Sequence, residues 1–183
     1  MSAIEPTVLA IAGGSGAVGV GLVFVAASLA KLRSRGMFPG IVANYRLLPD
    51  VLVVPVAAAL PIVELAVGLA LLAGTRLAAG PGITMLLLFA AAMAINIGRG
   101  RSHIDCGCGR SELRQPLSRA LVVRNIVLAT LLVPTLAATP AFASAEWLIA
   151  LAAGIALFLL THLVNALAAL SAGPLAAMQR NSR

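Results

Sequence analysis

The chemistry-bearing residues of this chain converge on one short string, His103-Ile104-Asp105-Cys106-Gly107-Cys108-Gly109, which holds the only two cysteines among 183 residues. Two thiols separated by one residue point first to redox or metal chemistry. To close on each other they need Cα atoms within about 4.4 to 6.8 Å and a tightly bent ring. Gly107 and Gly109 supply the backbone freedom for such a ring. A strained disulfide is more reducible than a structural one and suits electron transfer. The nearby Arg99, Arg101, Arg110 and His103 favour the thiolate, the attacking species, whereas Asp105 opposes it. Metal binding is the competing chemistry. Cys106, Cys108 and His103 make three ligands, one short of a structural zinc set, and their spacing is narrower than C-x2-C, so no metal is expected. A structural pair is the third reading.

The elements that position this string are membrane-like. Hydrophobic residues make up 61% of the chain and charged residues 10%, outside the range of soluble domains. The formal charge of +7 comes from basic residues in short loops that form no stripe, so nucleic acid is excluded as a partner and the lipid bilayer is the expected environment. Two cysteines also make no disulfide framework for a secreted fold. Five apolar runs of spanning length cover about residues 8–30, 51–73, 78–97, 117–138 and 147–170, with the cysteine loop at 99–115. The expected fold is therefore an all-α integral membrane protein, one domain over 1–183, built as a bundle of five transmembrane helices.

The first run carries Gly13, Gly14, Gly16, Gly19 and Gly21, which in a bilayer permit close helix contact. Phe38, Ile41, Val42, Tyr45 and Leu48 recur at helical spacing after it. That pattern predicts a short interfacial helix, with an ordinary loop as the alternative. Pro116 suits the first turn of the fourth span.

Polar residues inside the runs are the remaining candidates. Glu64 lies near mid-membrane, where a carboxylate requires a partner or a task. Asn96 closes the third run, Arg124 and Asn125 open the fourth, and His162 and Asn165 lie late in the fifth. With antiparallel spans all of these share the half of the membrane nearest the cysteines. They predict a ligand pocket beneath the loop, with Glu64 deeper, although Arg124 could simply snorkel to the surface. Lys31, Arg33, Arg35, Arg46, Arg99, Arg101, Arg110, Arg114, Arg119, Arg180 and Arg183 fall on one side and Arg76 on the other. That bias puts the N-terminus outside and the cysteine loop in the cytoplasm.

The strings Asn96-Ile97-Gly98-Arg99-Gly100-Arg101, Ile104-Asp105-Cys106-Gly107-Cys108-Gly109 and Leu121-Val122-Val123-Arg124-Asn125 resemble the MauE (methylamine utilisation protein E) family of DoxX-like membrane proteins. Lys31-Leu32, Tyr45-Arg46-Leu47-Leu48-Pro49 and Leu60-Pro61-Ile62-Val63-Glu64-Leu65 are similar to it as well. Arg110 stands where many such sequences have an aromatic residue. The resemblance implies a multi-pass protein of the bacterial inner membrane working beside a thioredoxin-like, MauD-like partner. Its implied task is maturation of the disulfide-rich small subunit of periplasmic methylamine dehydrogenase. By analogy with quinone-linked enzymes of the vitamin K epoxide reductase and DsbB types, it also implies a quinone as electron carrier, with Glu64, Asn96, Arg124, Asn125, His162 and Asn165 as its candidate pocket. The expected function is thus a membrane thiol-disulfide oxidoreductase with Cys106 and Cys108 as the exchanging pair. A non-catalytic scaffold or small-solute carrier lined by Glu64, Arg124 and His162 is the alternative.

Overall fold

The computed structural model describes residues 4–107, 115–137 and 145–171. Five long helices dominate: α1 (Ile4–Arg33), α3 (Asp50–Leu72), α4 (Ala79–Gly98), α5 (Arg119–Leu132) and α7 (Ala145–Ser171). Short helices α2 (Phe38–Tyr45) and α6 (Pro134–Ala137) sit between them, and no strand occurs among the described residues. Among the described residues five segments are long and apolar enough to cross a membrane: Thr7–Arg33, Asp50–Leu72, Arg76–Gly98, Arg119–Ala137 and Glu146–Leu167. The protein is a multi-pass, all-α membrane protein.

α1 is the hub, packed against α3, α5, α6 and α7, while α4 pairs with α5. Its glycines explain how one helix meets so many others. A Cβ at Gly16 would stand 2.2 Å from the carbonyl oxygen of Leu131, so only glycine lets the two backbones meet there. Facing α3, Gly21 meets Gly68 and Ser28 meets Pro61. These two pairings run in opposite directions along the chain and fix an antiparallel register. Val20, Phe24, Leu71, Leu86, Leu128 and Leu132 fill the space between the helices.

The fourth span departs from the sequence reading at both ends. Pro116 is not in its first turn; it pairs with Asp105 in an isolated antiparallel bridge. The helix starts at Arg119 because Ser118 caps it, its Oγ accepting from the Leu121 N–H at 3.4 Å. At the far end the continuous run divides at Pro134, which lacks the N–H needed to extend α5.

Candidate functional site

Cys106 sits where a loop is drawn back onto the bundle. The Cys106 N–H donates to the Gln115 carbonyl (2.9 Å) and the Leu117 N–H to the Ile104 carbonyl (3.2 Å). These bonds flank the Asp105–Pro116 bridge and close the base of the loop. Ile104 and Leu117 are buried with Met93 and Leu121, which anchors both strands of that base in apolar packing. The Gly107 N–H donates to Asp105 Oδ1 at 2.9 Å, so Asp105 turns the chain directly after the cysteine. Gly107 adopts φ +68°, and a Cβ there would stand 3.0 Å from Ile41, so glycine is required twice over.

The sulfur itself is buried, with Cys106 7% exposed. Its Sγ lies 3.6 Å from Gln115 Oε1. The Gln115 amide cannot turn over freely, because its Nε2 donates to the Asn165 carbonyl of α7 at 3.2 Å. The Tyr45 hydroxyl donates to the Cys106 carbonyl at 3.1 Å, which ties α2 to the loop.

Arginines hold α2 in that position. Its last carbonyls have no partners within so short a helix. Arg101 donates to the carbonyls of Asn44 (2.6 Å) and Tyr45 (3.5 Å), and Arg99 to that of Arg46 (3.5 Å). Asn96, fully buried at the end of α4, accepts from Arg101 at 3.2 Å and donates to the Ala92 carbonyl. The apolar face of α2 thus turns toward the protein, where Phe38, Ile41, Val42 and Tyr45 help to wall a cavity of about 310 Å³ that reaches Cys106.

Lys31 stands at the partition between that cavity and a second one of about 630 Å³. It is buried, ion-paired with Glu64 of α3, and its ammonium lies 5.7 Å from the Phe38 ring centre and 5.5 Å from that of Phe89. In the antiparallel register Lys31 must reach back along α1 to meet Glu64. It runs into the bundle, the opposite of a snorkelling lysine. The second cavity is polar on one wall: Arg124 and Asn125 of α5 face His162 and Asn165 of α7. Arg124 donates to Asn125 Oδ1 (2.9 and 3.2 Å) and to Asn165 Oδ1.

Similarity to known proteins completes the picture. Residues 7–138 match the family described as methylamine utilisation protein MauE. The chain belongs to the MauE family. It is 49% identical over 123 residues to the methylamine utilization protein MauE of Paracoccus denitrificans, covering 66% of each chain. With that of Paracoccus versutus the identity is 40% over 154 residues, covering 81% of this chain and 83% of the relative. With that of Methylophilus methylotrophus it is 48% over 105 residues, covering 56% of this chain and 53% of the relative. The chain therefore spans somewhat under two thirds of the first relative and about half of the third. No solved structure matches.

In this MauE-family chain the expected site residues fall into two groups. Cys106, Asp105, Arg101, Arg99 and Asn96 gather around the loop base, and Glu64, Arg124, Asn125, His162 and Asn165 line the larger cavity. Asn96 lines neither cavity; its amide is occupied by Arg101 and Ala92. His103 is exposed in the loop. Cys108 and Arg110 lie outside the described residues. Among the described residues no three His, Cys, Asp or Glu side chains gather as metal ligands would. Three residues were not expected at the site from the sequence: Lys31, Tyr45 and Gln115. For Lys31 a signal existed, since a mid-membrane Glu64 calls for a cation and Lys31 follows an apolar run directly. Gln115 is a lone amide beside a proline and carries no such signal.

Proposed function

We propose that this protein is a membrane thiol-disulfide oxidoreductase in which Cys106 and Cys108 exchange two electrons with a thioredoxin-like partner, MauD-like in the setting of methylamine utilisation. The observation that carries the reading is the seat of Cys106: a buried sulfur at the wall of an apolar cavity, on a loop base fixed by backbone pairing, Tyr45 and Gln115. A sulfur so enclosed is beyond the reach of a partner protein's thiol. Exchange therefore begins at Cys108, and Cys106 is the resolving thiol.

In the oxidising direction a partner thiolate attacks Cys108 Sγ of the Cys106–Cys108 disulfide, and Cys106 leaves as a thiolate that takes up a proton. The partner's second thiolate then attacks the mixed disulfide and releases Cys108. The balance is one disulfide and one dithiol on each side. Asp105 and Gly107 turn the chain directly after Cys106, and the Gln115 amide oxygen receives the Cys106 S–H of the reduced form. A quinone ring suits the apolar cavity, whose walls of Phe38, Phe89 and Met93 are flat or pliable and where Lys31 can donate to a ring carbonyl. When bound there it supplies a two-electron, two-proton acceptor for the reduced pair.

Lys31 is buried in its pair with Glu64, and Arg99 and Arg101 are engaged by backbone carbonyls at the end of α2, so these three drop out as topology signals. Arg33, Arg35, Arg46 and Arg119 still stand exposed at the loop end against Arg76 at the other. The loop accordingly faces the cytoplasm of a bacterial inner membrane, and electrons cross the bilayer to serve a periplasmic client. A membrane-impermeant maleimide should spare the reduced cysteines of intact cells and label them after permeabilisation. Labelling of intact cells would place exchange directly in the periplasm.

The exchange is tested with a thioredoxin-like partner stripped of its second cysteine and activated as the thionitrobenzoate disulfide. Cys106→Ser should displace thionitrobenzoate and form a covalent adduct through Cys108, whereas Cys108→Ser should form none. Adduct formation only through Cys106 would reverse the two roles, and its absence from both variants would refute thiol exchange.

A further inference from the structure

The larger cavity makes no demand on the cysteines, and its charge is unbalanced. Among the described residues, Lys31, Arg33 and Arg124 line it against a single carboxylate, Glu64. Glu64 is engaged by Lys31, and no carboxylate pairs with Arg124 among the described residues. Arg124 instead draws on neutral amide oxygens from Asn125 and Asn165. A guanidinium has only donors, so Asn125 must present Oδ1 to it. That fixes the opposite end of the amide. Asn125 Nδ2, on a residue 1% exposed, consequently lies buried at the cavity wall as a donor without a hydrogen-bond partner among the described residues. A buried donor left unmade costs about 1–3 kcal/mol. An unspent donor beside an uncompensated guanidinium is what an oxyanion ligand requires.

The rest of the cavity describes the ligand's other part. About 630 Å³ is far larger than a phosphate or a carboxylate needs, and Phe24, Leu86, Phe89 and Phe158 supply its remaining walls. α7 packs mainly on α1 and touches α5 only slightly, so the space between α5 and α7 is spanned chiefly by the Arg124–Asn165 hydrogen bond. His162, on the exposed side of α7 and edge-on to Phe158 at 4.5 Å, stands at that opening.

We propose that the cleft between α1, α5 and α7 binds an anionic amphiphile from the bilayer, its phosphate held by Arg124 and Asn125 Nδ2 and its chain laid against Phe24, Phe89 and Phe158. The site stands independently of the thiol chemistry. Native mass spectrometry of the full chain in a neutral maltoside detergent tests it with three probes: phosphatidylglycerol, inorganic phosphate and decanol. Phosphatidylglycerol should bind saturably at one per chain, with inorganic phosphate at least tenfold weaker and decanol showing no saturable binding. Arg124→Gln should weaken phosphatidylglycerol binding about tenfold or more, the loss of a charged hydrogen bond. His162→Ala, at an exposed position, should weaken it less. Equal affinity for inorganic phosphate would make the ligand a soluble anion and overturn the amphiphile. Equal binding of decanol, or unchanged lipid affinity in a folded Arg124→Gln protein, would overturn the anion site altogether.

Discussion

Away from the cysteine loop, α1 is joined to its neighbours by the absence of side chains. Gly13 and Gly16 lie against α6 and α5, Gly19 against Gly154 of α7 and Gly21 against Gly68 of α3, with backbones close enough that an added methyl would strike them. Toward the loop the same helix carries Ser28 and Lys31, which reach across to the Pro61 carbonyl and to Glu64, and the bundle opens into two cavities. One end is held by closeness and leaves no room for chemistry. The other is held at a distance by buried polar groups, and the space they keep open is where Cys106, Lys31 and Arg124 stand. The difference teaches that polar residues within spanning helices of this chain act as spacers as well as candidate reagents.

The largest expected effect tests the spaced end. Glu64→Leu removes one partner of a buried ion pair and leaves Lys31 uncompensated, which costs about 3–5 kcal/mol. Thermal unfolding in detergent should show a large loss, and the double variant Lys31→Met with Glu64→Leu should recover most of it. No recovery would mean that the pair does more than hold charge. At the close-packed end the effect comes from adding atoms. Gly16→Ala places a Cβ against the fixed backbone oxygen of Leu131, and overpacking of this kind costs about 1–3 kcal/mol. Gly36→Ala, where nothing lies within 4 Å, should leave stability unchanged by the same assay. If the two alanines behaved alike, close approach would not be what joins that end.

The smallest effect sharpens the comparison at the loop itself. Tyr45→Phe deletes the hydroxyl that donates to the Cys106 carbonyl, a loss of about 1 kcal/mol. Stability should fall slightly, while alkylation of Cys106 after reduction should accelerate as the loop base loosens. Unchanged alkylation would show that the Cys106–Gln115 and Ile104–Leu117 backbone bonds hold the base without Tyr45.

The five spans were legible because a bilayer imposes helix length and apolarity together, and those are sequence properties. The short helix after the first was legible from the spacing of Phe38, Ile41, Val42 and Tyr45. Its environment was not: that face turns toward a cavity because Arg99 and Arg101 seize the carbonyls at the end of α2. These two arginines read as charges beside thiols, since sequence spacing does not say which backbone a side chain will meet. The grouping of Arg124, Asn125, His162, Asn165 and Glu64 followed from stacking antiparallel spans. Lys31 was hidden by Arg33 and Arg35, whose company made it look like one more interfacial charge. Pro134 marked a break that hydropathy alone runs through, whereas Pro116 read as a helix start and instead pairs with Asp105 at the loop base.

The proposed chemistry requires Cys106 and Cys108 to form a reversible redox pair. The direct measurement is a redox titration of the purified full chain, with thiols counted by maleimide labelling and mass spectrometry at each potential and zinc assayed alongside. The two thiols should appear together on reduction and vanish together on oxidation, as a single two-electron transition that Cys106→Ser abolishes. Two thiols that remain labelled after oxidant, or one zinc bound per chain, would contradict it.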